Sequence, residues 1–461
     1  MSEQVASEAE MVGNLQVREP GLLEKWSIVR HSIGFYHAVG MAARFQPPPG
    51  SELTLTLLYT ALKSLICQHP ALGISIEDES SDEPRFVRLP RIDLREVTTS
   101  IQLPADANQD KELTKVINGR LLKPFNDLGR LPLWRLAILT PSNPQDGVDV
   151  ALFIHHGITD GGGAAIFHQS LQSALQSADP SADSHPVVEV PELPLIPPVH
   201  SLLALPVSWL TVAKTLWKSW FPGSREGLWT GPPITSTKPL ITRYKLISVP
   251  PSRVAALSKA CKANQTTMTG LLEAVVAQAI FAHLPADGTA DELLGVCPIN
   301  LRRFIPDIGD RAIANLVTSD EHTFVRAETD VWAVARRVKQ QLATKLAAGD
   351  RDCNTGMMKF VSDFRAYFLG KVGKPRDSSF EVSNVGLVDG NLDDPTGWRI
   401  ARLVFSQSAN VTGSALDFSV STVRGGDLCI GLSSQDGVAD SGLASAVLAE
   451  VQYRLEQLAA L

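Results

Sequence analysis

The chain of 461 residues is poor in cysteine, and its few cysteines follow no pattern that binds metal or forms disulfides. Cys67, Cys261, Cys297, Cys353 and Cys429 are scattered, odd in number and without a CxxC pair. This spacing excludes a zinc ribbon and a disulfide framework. We therefore expect reduced thiols in an intracellular protein and no metal site.

The sequence also lacks long apolar runs and an excess of positive charge. No stretch of about 18 charge-free apolar residues occurs, so we expect no transmembrane helix. The first twenty residues carry four glutamates and no apolar run. This composition excludes a secretory signal and predicts a mobile acidic tail over residues 1–20. The formal charge of −7 argues against binding to nucleic acid, and we expect a cytoplasmic protein.

What the sequence does contain is an ordinary globular composition. Hydrophobic residues make up 44% of the chain and charged residues 20%, which excludes a disordered protein. A chain of this length accommodates two large domains, each with its own core.

A proline-rich segment divides the chain. Five prolines occur in the sixteen residues between 185 and 200, and they favour a stiff, extended connection. We take residues 185–235 as a linker and crossover helix. They join an N-terminal domain, residues 21–184, to a C-terminal domain, residues 236–461.

The second part of this connection is rich in Trp and Leu. Pro206 limits its helix to about residues 207–220. We favour a helix packed against one or both domains. The alternative is an interfacial helix in peripheral contact with an endoplasmic-reticulum or lipid-droplet membrane, because Trp and Lys suit that boundary.

Strand and helix patterns are mixed in both halves, which predicts the α/β class. In the first half we predict a buried strand at 149–154 and a helix at 164–178. In the second half the predicted strands are 241–249, 292–297, 379–384, 400–407, 416–423 and 427–433, and the predicted helices are 251–262, 266–284, 330–348 and 443–458.

The most informative residues directly follow the buried strand at 149–154. His155 and His156 are followed after three residues by Asp160 and then by three glycines. A histidine is suited to act as a general base near neutral pH, and Asp160 could fix the loop or the imidazole. The alternative is a core histidine with Asp160 as a helix cap. The full pattern, HHxxxDG after an apolar strand, favours a functional site.

This HHxxxDG pattern at residues 155–161 resembles the signature of the CoA-dependent acyltransferase superfamily. That superfamily includes chloramphenicol acetyltransferase, plant BAHD acyltransferases and the condensation domains of nonribosomal peptide synthetases. Residues 24–36 and 383–386 look most like its fungal alcohol acetyltransferase branch. The plant DFGWG motif is matched only by Asp417, Phe418 and Ser419. The other supporting segments are residues 68–72, 124–125, 132–136 and 298–304.

The resemblance implies two similar chloramphenicol-acetyltransferase-like α/β domains with mixed sheets and an active-site tunnel at their interface. It implies that His156 is the general base, with His155 in support. It implies that Asp160 fixes the loop by pairing with Arg302 or Arg303, of which we favour Arg302. It also implies acyl-CoA as co-substrate, with no permanently bound cofactor and no metal.

Several polar residues are further candidates for the site. Ser419, Ser421 and Thr422 are suited to donate hydrogen bonds to the oxyanion, although an exposed strand face explains them equally well. Asn384 could position the acceptor, although a turn residue is the better interpretation. Arg30, His31 and His37 are treated as structural.

Three cations, Lys371, Lys374 and Arg376, share one loop. They could bind the phosphates of CoA or an acidic acyl carrier protein. A solvated loop is the interpretation we favour.

Our leading hypothesis is an acyl-CoA-dependent O-acyltransferase, an acetyltransferase by its resemblance, that acts on a small-molecule alcohol or hydroxylated metabolite. A second hypothesis is condensation-like transfer to oxygen or nitrogen from a carrier-bound thioester in secondary metabolism. A third is a non-catalytic binding protein that keeps the fold.

Overall fold

The structure is a computed structural model, and it describes most of the chain. Residues 1–14 of the expected acidic tail lie outside the described residues. The described ranges are 15–179, 185–220, 226–236, 238–287, 289–308, 311–439 and 441–460.

Strands and helices alternate through both halves of the chain. The strands are β1 (Leu15–Arg18), β2 (Val39–Gln46), β3 (Ile74–Glu77), β4 (Arg85–Arg88), β5 (Arg91–Asp93), β6 (Thr98–Gln102), β7 (Trp134–Thr140), β8 (Val148–Ile154), β9 (Val187–Glu189), β10 (Thr242–Val249), β11 (Glu292–Asn300), β12 (Val317–Val325), β13 (Phe380–Val388), β14 (Arg399–Gln407), β15 (Leu416–Val423) and β16 (Leu428–Gln435). The helices are α1 (Leu22–Ser32), α2 (Leu55–Gln68), α3 (Leu94–Val97), α4 (Gln109–Leu121), α5 (Gly161–Ser177), α6 (Val199–Leu202), α7 (Trp209–Trp220), α8 (Pro251–Ala263), α9 (Met268–His283), α10 (Val331–Ala347), α11 (Asn354–Met357), α12 (Phe364–Leu369) and α13 (Ser441–Ala460).

The first half builds a five-stranded mixed sheet in the order β14-β2-β8-β7-β6. All seven residues of β8 are buried, as expected for a central strand with both faces covered. Leucines of α2 and α5, such as Leu62 and Leu171, share one apolar core with Val150 and Leu152 of β8. Two small sheets flank this layer, β1-β4-β3 and β5-β9.

One strand of this sheet comes from the second half of the chain. β14 pairs antiparallel with β2 over its whole length, for example Phe405 with Met41. The β pattern predicts a strand at 400–407, but the pattern cannot identify its partner. The predicted boundary at residue 236 therefore does not account for β14, which completes the sheet of the first half.

The second half builds a six-stranded sheet in the order β10-β16-β15-β13-β11-β12. Helices α8, α9, α10 and α13 contribute to the apolar core on one face, which includes Leu416, Phe418 and Val420 of β15. Because side chains alternate along a strand, Asp417, Ser419 and Ser421 point to the opposite face. That face meets β14, since the Ser421 hydroxyl donates a hydrogen bond to the carbonyl of Leu403, 2.6 Å away.

The Trp/Leu-rich stretch forms α7, close to the predicted bounds. Trp209, Leu210 and Trp217 expose 87%, 65% and 64% of their surface, which a helix packed against one or both domains, the interpretation that we favour from the sequence, does not explain. None of the helices in the described ranges combines the length and the apolarity that crossing a bilayer requires.

Candidate active site

His156 lies in the turn that connects the end of β8 to the start of α5. Its Nδ1 lies 2.8 Å from the carbonyl oxygen of Thr159. A carbonyl only accepts, so this contact assigns the ring proton to Nδ1 and the lone pair to Nε2. The side-chain amide of Asn315 donates to the carbonyl of His156 over 2.7 Å. The backbone and the ring of His156 are therefore both held, and no described residue hydrogen-bonds Nε2.

The surroundings of His156 keep its imidazole neutral. Burial, followed by the cationic charge of Arg30, lowers the pKa of His156 to about 4. Both effects disfavour the protonated ring. At neutral pH the side chain is therefore in the form that accepts a proton.

Asp160 caps α5 and turns away from the imidazole. Its carboxylate accepts hydrogen bonds from the backbone N–H of Gly163 and of Leu316, each 2.8 Å away. Nη1 of Arg302 donates to both carboxylate oxygens, over 3.0 and 2.9 Å. Burial opposes ionisation, but the Arg302 cation and these hydrogen bonds hold the pKa of Asp160 below its usual value.

Arg302 is buried, and its remaining donors are also used. Nε donates to the carbonyl of Ala312 and Nη2 to the carbonyl of Ala314. The adjacent Arg303 is exposed. Of the two arginines that the sequence offers as partners, the structure places Arg302 against Asp160.

The glycines after Asp160 allow three segments to meet. A Cβ atom at Gly161 would lie 2.9 Å from side-chain atoms of both Phe405 and Val385. One at Gly163 would lie 2.1 Å from Oγ1 of Thr159. The absence of side chains therefore lets the start of α5 approach β13 and β14 of the other half.

His155 belongs to a separate buried network that sequence reasoning missed. Its Nε2 lies 3.5 Å from Oε1 of Glu79, and Nδ1 of His31 lies 2.5 Å from the same oxygen. Burial raises the pKa of Glu79, but the two imidazoles outweigh it and lower the value to about 2. Burial and the neighbouring His31 lower the pKa of His155 to about 4. No local pattern around Glu79 signals this long-range contact.

This network has the residue types and spacing of a metal site, since three ligand atoms of His31, Glu79 and His155 lie within 4.8 Å of one another. Its hydrogen bonds favour another interpretation. Backbone N–H groups of Phe125 and Gly157 donate to the outer nitrogens of His31 and His155, each over 2.9 Å. The nitrogens that face Glu79 then carry the protons, and metal binding would require both tautomers to change. We interpret the network as an electrostatic contact of Glu79 with two imidazoles, in which the Gly157 N–H holds the His155 ring.

The hydroxyl and amide candidates differ in the partners that they already have. Ser421 is occupied, since it also accepts from the backbone N–H of Phe405. Asn384 donates to Oγ1 of Thr269 and accepts from the N–H of Gly386, and it lies inside β13 where the pairing with β15 shifts register, not in a turn at the end of the strand. Thr422 is buried on β15. The hydroxyl of Ser419 is buried and has no partner among the described residues.

The three loop cations do not form one phosphate site. Arg376 is fully buried and donates to backbone carbonyls, including that of Val411 over 2.7 Å. Lys371 forms an ion pair with Asp377. Lys374 is exposed and remains accessible to an anion.

Polar residues from distant parts of the chain also cluster near His156. The rings of Tyr36 and His156 are 5.5 Å apart between centroids, and the guanidinium of Arg30 lies 4.8 Å from the Tyr36 centroid. Glu381 and Asp417 are paired in register on β13 and β15. A single acidic residue inside an otherwise uncharged strand is the sequence signal for these two positions.

We predict that Arg302→Met lowers the free energy of unfolding by about 3–5 kcal/mol, because it leaves the buried Asp160 carboxylate without its cation. Urea denaturation measures this loss. The matched control is Arg303→Met at the exposed neighbouring position, which we expect to change stability by less than about 0.5 kcal/mol. Equal effects of the two substitutions would contradict the importance of the ion pair.

The fold occurs in solved structures of acyl-transferring and condensation domains. TRI3 trichothecene 15-O-acetyltransferase from Fusarium sporotrichioides matches with a TM-score of 0.72 at 15% identity, over 96% of this chain and 94% of that chain. The first condensation domain of the CDA synthetase matches with a TM-score of 0.64 at 15% identity, over 96% of each chain. The predicted mixed α/β fold class is confirmed.

Sequence comparison identifies the family. A probable alcohol acetyltransferase, crmB of Aspergillus fumigatus, is 29% identical over 453 residues, covering 92% of this chain and 96% of that protein. A family model for alcohol acetyltransferases matches residues 19–449. The predicted resemblance is confirmed, and the third hypothesis, a non-catalytic protein, has no support. This chain belongs to the alcohol acetyltransferase family and is an acyltransferase.

Proposed function

We propose that this acyltransferase moves an acetyl group from acetyl-CoA to the hydroxyl group of a small molecule, with His156 as the general base. The observation that carries the proposal is the hydrogen bond from Nδ1 to the carbonyl of Thr159. It leaves the lone pair on Nε2 of an imidazole that burial keeps neutral. The names of two similar proteins, the alcohol acetyltransferase crmB and the 15-O-acetyltransferase TRI3, support acetyl transfer to oxygen.

The proposed reaction needs no covalent enzyme intermediate. Nε2 of His156 takes the proton of the acceptor hydroxyl while that oxygen attacks the thioester carbonyl. The resulting tetrahedral oxyanion collapses, the carbon–sulfur bond breaks, and His156 returns its proton to the CoA thiolate. The chain has no GxSxG elbow that would supply a serine nucleophile. Holding both substrates at one site makes the attack effectively intramolecular.

We assign oxyanion stabilisation to Ser419 among the four polar candidates. Its hydroxyl is buried without a described partner, whereas Ser421 and Asn384 are engaged by their neighbours. A free donor in a water-excluded site stabilises developing negative charge strongly. We further propose that the substrates meet in a tunnel between the two halves, where Asp160 and Arg302 join them.

We predict that His156→Gln lowers kcat by about 10²- to 10⁴-fold, because glutamine cannot take the hydroxyl proton. The measurement is thiol release from acetyl-CoA in the presence of a panel of alcohols. His283→Gln, at an exposed histidine of α9, is the control and should retain wild-type activity. Unchanged turnover in the folded His156 variant would contradict this base.

The same assay tests the donor. Turnover with a holo-carrier-protein thioester, but not with acetyl-CoA, would favour the condensation-like alternative. An amine acceptor in place of the alcohol would indicate N-acylation.

The lowered pKa of His156 gives a second prediction, for the pH dependence of kcat/KM. Because the pKa of the free enzyme's base lies near 4 rather than near the ordinary 6.5, His156 remains neutral well below pH 6. We expect no loss attributable to this group between pH 8 and 6 and a half-maximal value near pH 4. The activity of each sample is measured again after its return to pH 7. Activity that recovers fully indicates titration at low pH, and activity that stays lost indicates unfolding. An acidic limb centred near pH 6.5 would contradict the assigned environment.

We propose that the protein is cytoplasmic and contacts membranes peripherally through α7. The exposed Trp209, Leu210 and Trp217 provide apolar side chains of the kind that insert at a bilayer interface. In liposome flotation with phosphatidylcholine vesicles, we expect part of the wild-type protein to float. The double variant Trp209→Ser, Trp217→Ser should remain at the bottom, whereas Tyr453→Ser, at an exposed aromatic of α13, should float. Wild-type protein entirely at the bottom would contradict the membrane contact.

A further inference from the structure

Arg30 is a buried cation whose hydrogen-bonding capacity the described residues leave unused. It lies on α1, is 7% exposed, and none of its guanidinium nitrogens hydrogen-bonds a described residue. Its Nε is both buried and without a partner among those residues. The guanidinium contacts the face of the Tyr36 ring instead. A buried guanidinium without oxygen acceptors is costly, so its position requires a compensating partner.

The carboxyl groups of Glu381 and Asp417 interact electrostatically with Arg30 but form no direct ion pair with it. Glu381 accepts a hydrogen bond from the side-chain amide of Gln407 over 3.0 Å. Asp417 accepts weakly from the N–H of Asn410 over 3.3 Å, and its other oxygen is buried without a described partner. Burial raises the pKa of Asp417 well above its usual value, and burial also raises that of Glu381. Both shifts favour the protonated carboxyl group, and neither carboxyl group forms a direct ion pair with Arg30.

A chain of contacts connects this cluster to the candidate base. The Tyr36 ring contacts both the Arg30 guanidinium and the His156 ring, and the Tyr36 hydroxyl donates to the amide oxygen of Gln407 over 3.4 Å. The same Gln407 holds Glu381. The unused donors therefore belong to the same cluster of contacts as the His156 ring.

We propose that Arg30 and Asp417 form a subsite that binds a second, neutral oxygen group of the acceptor, such as a hydroxyl or a carbonyl. This inference rests on the proposed function, and it specifies the acceptor as a polyoxygenated molecule instead of a simple aliphatic alcohol. An arginine can only donate, so the group that it binds must offer an acceptor oxygen, and the unpartnered Oδ1 of Asp417 offers the same group a second contact.

Two other oxygen sources fit the cluster less well. A carboxylate on the acceptor would meet the same burial that disfavours the charged forms of Glu381 and Asp417. The phosphates of CoA lie at the far end of the pantetheine arm from the thioester, whereas the contacts of Arg30 lead through Tyr36 to the His156 ring. A neutral oxygen avoids both conflicts.

The test compares acceptors of equal chain length, straight-chain 1-alkanols and α,ω-diols of three to eight carbons, in the thiol-release assay. We expect one or more diols to exceed their matched alkanols in kcat/KM. Arg30→Met should reduce that advantage, measured as the ratio of the diol to the alkanol kcat/KM, at least about tenfold, the value of one hydrogen bond to a charged group. The control is Lys25→Met, which removes a cation from the same helix and should retain the diol preference.

The possible results separate this inference from the proposed function. Equal loss of diol and alkanol turnover in Arg30→Met, with the folded state verified by circular dichroism, would overturn the subsite and leave acetyl transfer intact. A preference for amino alcohols over diols would show that the carboxyl groups bind a cation, which also overturns it.

If Arg30→Met does not fold, Arg30→Lys keeps the charge but not the forked donor geometry, and it should lose most of the diol advantage.

If no acceptor turns over in the wild type, the proposed donor or reaction fails. The subsite is then tested by binding, with the same diols and alkanols compared as stabilisers against thermal unfolding. A diol-specific shift in melting temperature that Arg30→Met removes supports the subsite, and its absence overturns it.

Discussion

The ion pair between Asp160 and Arg302 is the constraint on which the geometry of the site depends. It joins the N-terminus of α5, in the first half of the chain, to the turn that follows β11 in the second. Both groups are buried, so either one alone would be a charge without compensation. The backbone donors of Gly163 and Leu316 complete the shell of the carboxylate. The pair therefore sets the relative position of two segments that no local preference would bring together.

The orientation of His156 follows from this constraint. Once Asp160 is fixed as the helix cap, the intervening turn places the carbonyl of Thr159 against Nδ1. The segment that supplies Leu316 also supplies Asn315, which holds the carbonyl of His156. Asp160 thus contributes by building the turn and not by contacting the imidazole. The geometry of this turn therefore places the ring proton on Nδ1 and leaves Nε2 available to accept a proton.

The sequence predicts local features well and long-range contacts poorly, for physical reasons. The strand that leads into His155 and the glycines after Asp160 can be predicted from the sequence. The hydrophobic periodicity of a strand and the backbone freedom of glycine are both local properties. Arg302 was accessible only through resemblance to a family. Glu79 and Asn315 carry no local signal, since their roles depend on which distant segments pack together. The pairing of β14 with β2 escaped prediction for the same reason, although the strand itself was predicted.

Some buried polar groups have no hydrogen-bond partner among the described residues, and each of them makes the folded state less stable than it would be with that group paired. Buried Arg30 and the free oxygen of Asp417 are each unfavourable in isolation. Both lie in the cluster that the ring of Tyr36 connects to His156. Other buried atoms, such as Nδ1 of His168 and Oε1 of Glu273, also lack a partner among the described residues. The unused donors of Arg30 differ from these atoms because they belong to a cation, and burying a cation without an acceptor costs more than burying a neutral group. A ligand bound for the reaction would supply that acceptor.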